Sequence, residues 1–129
     1  MLNFRKEERL TNKKIINSLF IKGSSFFIYP FSIKWNIITA TFKFPSQILI
    51  SIPKRNFKKA VDRNKLKRLV RDAYRINKSI LSESISDSDK KFVFTLIYTE
   101  KEIVDFKLIH EKIILILQRL LKEHEKIAK

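Results

Sequence analysis

The sequence contains no cysteine. Disulfides, thiolate metal sites and cysteine nucleophiles are excluded together, as is common in cytosolic proteins. Glycine is almost as scarce. Gly23 is the sole example, which rules out the glycine-rich loops that cradle nucleotide phosphates. Nowhere does an apolar run approach the roughly 18 residues needed to span a bilayer. The opening stretch MLNFRKEERL carries mixed charges where a signal peptide would require an apolar segment. Histidine is limited to His110 and His124. On one helix they would stand about 21 Å apart at 1.5 Å per residue, too far to share a metal or act as a pair. No other set of Asp, Glu and His has ligand spacing, and Asp87 and Asp89 fall in a serine-rich connector that reads as solvated. These absences predict a soluble, cytoplasmic protein with no catalytic residue, metal site or cofactor motif of its own.

What the chain has in excess is positive charge. Twenty-eight Lys and Arg stand against 13 Asp and Glu in 129 residues, a net charge of +15. Such an excess repels itself in a compact state, so a polyanionic partner is expected. A membrane surface would require a basic amphipathic helix presenting Trp, Phe and Leu. The single tryptophan, Trp35, lies instead in an extended segment, so the expected polyanion is nucleic acid. Hydrophobic residues make up 44% of the chain, 11 Phe among them, which suffices for one core at single-domain size.

The hydrophobic pattern predicts the elements in order. Residues 11–20 read as a short helix with Ile15, Ile16, Leu19 and Phe20 as its apolar stripe, Thr11 as N-cap and Gly23 as stop. Residues 27–44 are β-branched and aromatic. Phe31, Ile33, Trp35 and Ile37 alternate with Ser32, Lys34 and Asn36, a strand with one buried face, and a bend inside 27–39 would make room for a further strand. Pro45 ends the run and residues 47–52 form the next strand, stopped by Pro53. The short turn between them predicts an antiparallel pair. A helix follows over 59–77, then a solvated connection over 79–89. Phe92, Phe94, Leu96 and Tyr98 alternate with Val93, Thr95 and Ile97, so both faces are apolar, as in an inner strand. Asp105 caps a last helix carrying Phe106, Ile109, Ile113, Leu117 and Leu120, with a polar tail after Lys122 expected to fray. The order α-β-β-(β)-α-β-α over residues 1–129 is a single-domain α+β fold, a two-layer α/β sandwich.

One helix concentrates the charge. Between Lys54 and Lys78 lie 11 basic residues against Asp62 and Asp72. At about 100° per residue, Leu66, Leu69, Val70, Ala73 and Ile76 gather on one side. Asn64, Lys67, Arg68, Arg71, Arg75 and Lys78 fall opposite, flanked by Arg63 and Tyr74. A solvated helix face is the ordinary source of a charge run. Here, however, carboxylates able to pair at i,i+4 are nearly absent, so like charges repel along the ridge uncompensated. Arginine's planar fork suits phosphate, and Asn64 and Tyr74 add groups able to hydrogen-bond or stack on bases.

The run Lys54-Arg55-Asn56-Phe57-Lys58-Lys59-Ala60-Val61-Asp62-Arg63-Asn64-Lys65-Leu66-Lys67-Arg68-Leu69-Val70-Arg71-Asp72-Ala73-Tyr74-Arg75 resembles the signature of the bacterial ribonuclease P protein family. That signature is a Lys followed by Lys or Arg, a spacer, then A-V-x-R-N-x-x-K-R-x-x-R, an acidic residue and Ala. Arg9-Leu10, Phe20 and Lys22-Gly23 resemble the family's N-terminal pattern. The remainder agrees in pattern only.

The resemblance implies a ribosomal protein S5 domain 2-like fold with a left-handed β-α-β crossover, an exception to the usual right-handed rule. It also implies the protein subunit of an endoribonuclease that removes the 5′ leader of precursor tRNA, with hydrolysis performed by a catalytic RNA and its Mg²⁺ and no protein partner required. Carried over residue by residue, it assigns Lys54, Arg55, Arg63, Asn64, Lys67, Arg68, Arg71 and Arg75 to the catalytic RNA. A cleft between the first helix and the sheet would hold the leader, with Phe20 and Ile16 at the matching helix positions, the latter often aromatic in the family. Ser32, Lys34, Asn36 and Ser51 join them, since their parity sets them opposite the Trp35 face. The alternative partner is ribosomal RNA, bound by a ribosomal or RNA-chaperone-type protein. A stand-alone nuclease lacks the carboxylates, and a helix-turn-helix reader lacks the preceding helix, which is replaced by a strand ending at Pro53.

Overall fold

A computed structural model describes residues 8–39, 46–81 and 90–128. The elements are α1 (Lys13–Lys22), β1 (Ser24–Ile28), β2 (Phe31–Thr39), β3 (Ser46–Ser51), α2 (Ala60–Asn77), β4 (Lys90–Tyr98) and α3 (Phe106–Ala128). The four strands form one sheet in the order β1-β2-β4-β3. The bend anticipated inside 27–39 falls at Tyr29–Pro30, a cis peptide, and supplies the extra strand.

β4 explains the sheet order. Residues 91–96 are all buried, and a strand apolar on both faces needs neighbours along both edges and cover above and below. It therefore sits between β2, antiparallel, and β3, parallel. This corrects the expected β2–β3 antiparallel pair: β4 separates the two, and no short-turn hairpin joins them. The chain between β2 and β3, with Pro45, lies outside the described residues, as does most of the expected connection over 79–89. β3 and β4, adjacent and parallel, are joined through α2, which gives the β-α-β unit.

The main core fills the space between one sheet face and the helices α2 and α3. Phe31, Ile33, Trp35, Ile48, Phe92, Phe94, Leu96 and Tyr98 meet Leu66, Val70, Ala73, Ile109, Ile113, Leu117 and Leu120, all buried. Edge-to-face rings pack this core: Phe31 on Tyr98 at 5.7 Å across β2 and β4, and Tyr74 of α2 on Phe94 of the sheet at 6.1 Å between centroids, distances favourable for such pairs. On the other face α1 seats Leu19 against Leu10 and Val93, with Ile15, Ile16, Ile38 and Leu49 around them.

Four helix ends can be set against the sequence reading. The N-cap of α1 is Asn12, not Thr11. Its Oδ1 accepts from Lys14 N at 3.0 Å and Ile15 N at 3.2 Å, and Asn outranks Thr at this position. Gly23 stops α1 as expected, but with φ of −69°. Its role is close approach: a Cβ there would collide with the Leu19 carbonyl oxygen and lie 3.1 Å from that of Trp35. Asp105 caps α3 through Leu108 N at 2.9 Å. The tail beyond Lys122 does not fray, and α3 continues to Ala128. Glu123 accepts from Arg119 at 3.1 Å and lies 3.6 Å from Lys126, and His124 packs on Phe92 at 5.8 Å, so the last turns are tied to the core.

Gly23→Ala is expected to lower stability by about 1–3 kcal/mol, the usual cost of forcing atoms into a packed site, as measured by urea denaturation. Wild-type stability in the variant would show that α1 can shift away from β2 freely.

Candidate nucleic-acid interface

α2 is two-sided because its apolar residues recur at helical spacing. Leu66, Val70, Ala73 and Tyr74 are its buried positions. The inward stripe thus runs through Tyr74, while Ile76, expected on it, is 40% exposed. Tyr74 reaches across to β3, where its hydroxyl and the Ser46 hydroxyl lie 2.6 Å apart. Burial pushes its phenol well above the ordinary value. The expectation that Tyr74 stacks on bases is therefore corrected. It is a core residue, and its one polar atom is satisfied inside.

The opposite side carries the cations. Asn64 and Arg68 are exposed, while Lys67, Arg71 and Arg75 are half-buried along their stems. Among the described residues no carboxylate comes within ion-pair distance of Lys67, Arg68 or Arg71. Arg75 has Asp72 at 3.7 Å, a long, solvated pair of little energetic weight. Lys78 is different: its Nζ donates to Glu8 Oε1 at 2.8 Å, and Glu8 is buried. That cation fastens the N-terminal segment to the end of α2.

The segment before α2 exposes Lys54 and Arg55 to solvent. Phe57 anchors it, buried against the Tyr98 ring at 5.8 Å. Arg63 fixes it to the helix, since its Nη1 donates to the carbonyls of Phe57 at 2.7 Å and Lys58 at 3.0 Å. Arg63, assigned on sequence to RNA, thus spends part of its fork shaping the loop that carries Lys54 and Arg55.

Sequence reasoning left Arg9 off the ridge, and the fold puts it there. Leu10 N donates to Ile48 O at 2.9 Å, and Arg9 bridges Ile48 beside β3. Arg9, Lys67 and Arg71 then line one cavity of about 180 Å³ along β3. Partial burial and the neighbouring Arg9 charge hold the Arg71 guanidinium below its usual pKa. Two arginines held together against their repulsion suit an anion between them. Nothing in local spacing signals this, because the two positions meet only through β3.

The second candidate surface is the sheet face away from the main core. Side-chain parity puts Ser32, Lys34 and Asn36 of β2 on it, and Ser51 aligns with Ile97, itself across from Ser32. Phe20 of α1 lies over this face with Lys34 Nζ 5.9 Å from its ring centroid, at the outer range of a cation–π contact. Ile16 is half-buried in the small cluster under α1. Asn36 lines a cavity of about 170 Å³ with Lys14, Ser18 and Val93, and its Oδ1 accepts from Ile37 N at 2.9 Å. The fold thus gathers all six predicted leader residues on one side of the sheet. Thr95, beside Lys34 in the register, was not predicted, and its buried hydroxyl has no partner.

The family model for ribonuclease P matches residues 4–121. The chain belongs to the ribonuclease P protein family. It is 33% identical over 102 residues to a ribonuclease P protein component of Porphyromonas gingivalis, covering 79% of this chain and 74% of that one. A second relative, the ribonuclease P protein component of Chlorobium phaeobacteroides, is 35% identical over 82 residues, 61% of this chain and 56% of that one. Among solved structures, the RNase P protein from Thermotoga maritima superposes with a TM-score of 0.67 at 29% identity, over 87% of this chain and 96% of that one. One from Staphylococcus aureus shares the fold, with a TM-score of 0.64 at 21% identity over 93% and 90% of the two chains. Membership in the ribonuclease P family makes this chain a ribonucleoprotein component of tRNA processing. Among the described residues no three His, Asp or Glu side chains come together as metal ligands, and no helix is long and apolar enough to cross a membrane.

Arg63→Ala should free the loop that it staples. Hydrogen exchange at the amides of residues 56–59 is expected to accelerate while α3 stays protected, with a stability loss of about 1–3 kcal/mol for hydrogen bonds from a charged donor. Unchanged exchange in that loop would show that its shape comes from Phe57 alone.

Proposed function

We propose that this chain is the RNA-binding subunit of a ribonuclease P. It grips a catalytic RNA with the α2 ridge and the single-stranded 5′ leader of precursor tRNA with the open sheet face. The observation that carries this reading is the row Lys67, Arg68 and Arg71, seated on a helix whose other side is core and unmatched by carboxylates among the described residues. Guanidinium and ammonium groups there bind phosphate oxygens and release condensed counterions, a sequence-independent attraction that suits a folded RNA. Lys54, Arg55, Asn64 and Arg75 extend the same footprint at its two ends, and Arg63 holds the loop that aims Lys54 and Arg55.

The leader reading uses the other face. Phe20 offers a ring on which a base can stack, worth about 1–3 kcal/mol per base, and Lys34 beside it supplies charge. Ser32, Asn36 and Ser51 supply hydrogen-bond groups, and Ile16 supplies apolar contact without a ring. A leader is present on the precursor and absent from mature tRNA, so this surface favours substrate over product. Mg²⁺ in the RNA would activate the water and stabilise the leaving oxygen during hydrolysis. The protein contributes positioning and screening of phosphate repulsion, acting in the cytoplasm with no second protein required.

The decisive experiment is reconstitution with the cognate RNA at low Mg²⁺, scoring 5′ cleavage with and without the chain. Protein-dependent cleavage is expected, and cleavage by the protein alone would overturn the division of labour. Arg68→Ala with Arg71→Ala should weaken catalytic-RNA binding and reduce the salt slope by up to about two units; an unaltered slope would remove the ridge from the interface. Phe20→Ala should weaken precursor binding severalfold and leave mature tRNA binding alone, and equal losses for both would remove α1 from the leader path.

A further inference from the structure

The open face continues past the residues assigned to it so far. In the sheet register Phe27 of β1 stands across from Ser32, Ser32 across from Ile97, and Ile97 beside Ser51. Directly opposed residues share a face, so these four side chains form one row over all four strands. Phe27 is 60% exposed. Phe20 is 42% exposed as well, and it is more than one exposed ring on the same face, not a single one, that is informative.

Its neighbours give the ring a context. Lys34, whose ammonium lies 5.9 Å from the Phe20 ring, pairs with Ser25, two residues before Phe27. Two strand residues separate the rows by roughly 7 Å, a step on the scale of one extended nucleotide. Phe20, within reach of the Lys34 ammonium, and Phe27, one row further along β1, are thus two rings on the same side of the sheet.

Charge decides what can lie across them. The sequence holds no Asp or Glu between Glu8 and Asp62, a span that includes α1, β1, β2 and β3. β4, Lys90–Tyr98, adds none. Every element that builds this face is free of carboxylates, while Lys14 and Lys34 stand on it. Acid first returns past the β1–β2 bend, where Glu100 and Glu102 gather around Tyr29 and Glu100 raises the pKa of its phenol. A second copy of this chain would set +15 against +15. A single strand of RNA matches both the rings and the sign of the field.

We infer that the single-stranded leader runs beyond α1 onto β1, stacking a further base on Phe27, and leaves the face before the Glu100–Glu102 corner. This rests on the leader-binding reading above and adds a residue and a direction to it.

The test uses the reconstituted holoenzyme and precursors whose leaders lengthen one nucleotide at a time. Wild-type affinity should rise in two steps, one for each ring. Phe20→Ala should abolish one step. Phe27→Ala should abolish the other, with a roughly five- to tenfold loss at every leader long enough to reach both rings, and Phe27→Trp should restore it. Phe27 is solvent-facing, so neither change disturbs the core; circular dichroism should match the wild type. If Phe27→Ala binds every leader like the wild type while Phe20→Ala is impaired, the extension to β1 is wrong and the leader face stands. If neither variant loses affinity, the leader reading itself falls.

Discussion

β4 is apolar on both faces, and that one property organises the molecule. A strand of this kind can be buried only if both its edges are paired and both its faces covered. β2 and β3 take the edges, α2 and α3 cover one face, and α1 covers part of the other. The sheet thereby becomes a wall between two surfaces of different character. Behind it, α2 exposes a row of cations; in front, the uncovered remainder of the sheet carries rings and small polar groups. A protein of this size presents two separate candidate surfaces because its central strand keeps them apart.

The two surfaces obtain affinity by different physics. Along α2 the proposed attraction is electrostatic and independent of sequence, centred on Lys67, Arg68 and Arg71, which have no carboxylate within ion-pair distance among the described residues. Partial burial, with the neighbouring charge of Arg9, depresses the pKa of Arg71 on this side. On the sheet face the rings of Phe20 and Phe27 offer stacking to unpaired bases, which a folded RNA helix would not expose. Division of this kind is what the proposed function requires, one surface for a structured RNA and the other for a single strand.

Charged residues at the margins do structural work instead. Lys78 is committed to buried Glu8, Arg63 to the carbonyls before α2, and Arg119 to Glu123. Each fixes a segment that would otherwise swing: the N-terminal strap, the Lys54–Arg55 loop and the last turns of α3. Arg9 reaches the ridge only because the strap is fixed at both Glu8 and Leu10.

Much of this was legible in the residues themselves. Alternation at Phe31–Ile37 gave β2 and its buried parity, and that parity correctly sent Ser32, Lys34 and Asn36 to the other face. The doubly apolar run 92–98 marked the inner strand, and the phase of Leu66, Val70 and Ala73 set the cations of α2 outward. These are short-range properties, written in periods of two and 3.6 residues. What the chain pattern could not decide was which strands meet. Pairing of β3 with β4 instead of β2 depends on where a doubly buried strand finds two edges, a choice made by the whole sheet. The same limit hid Tyr74, whose place in the core depends on a hydroxyl on β3, and Arg9 and Phe27, whose neighbours come from distant positions. Sequence alone determined most of each element's two faces, though not where Tyr74 and Ile76 fall; the assembled sheet decided those and which faces adjoin, because burial is settled between elements and not within one.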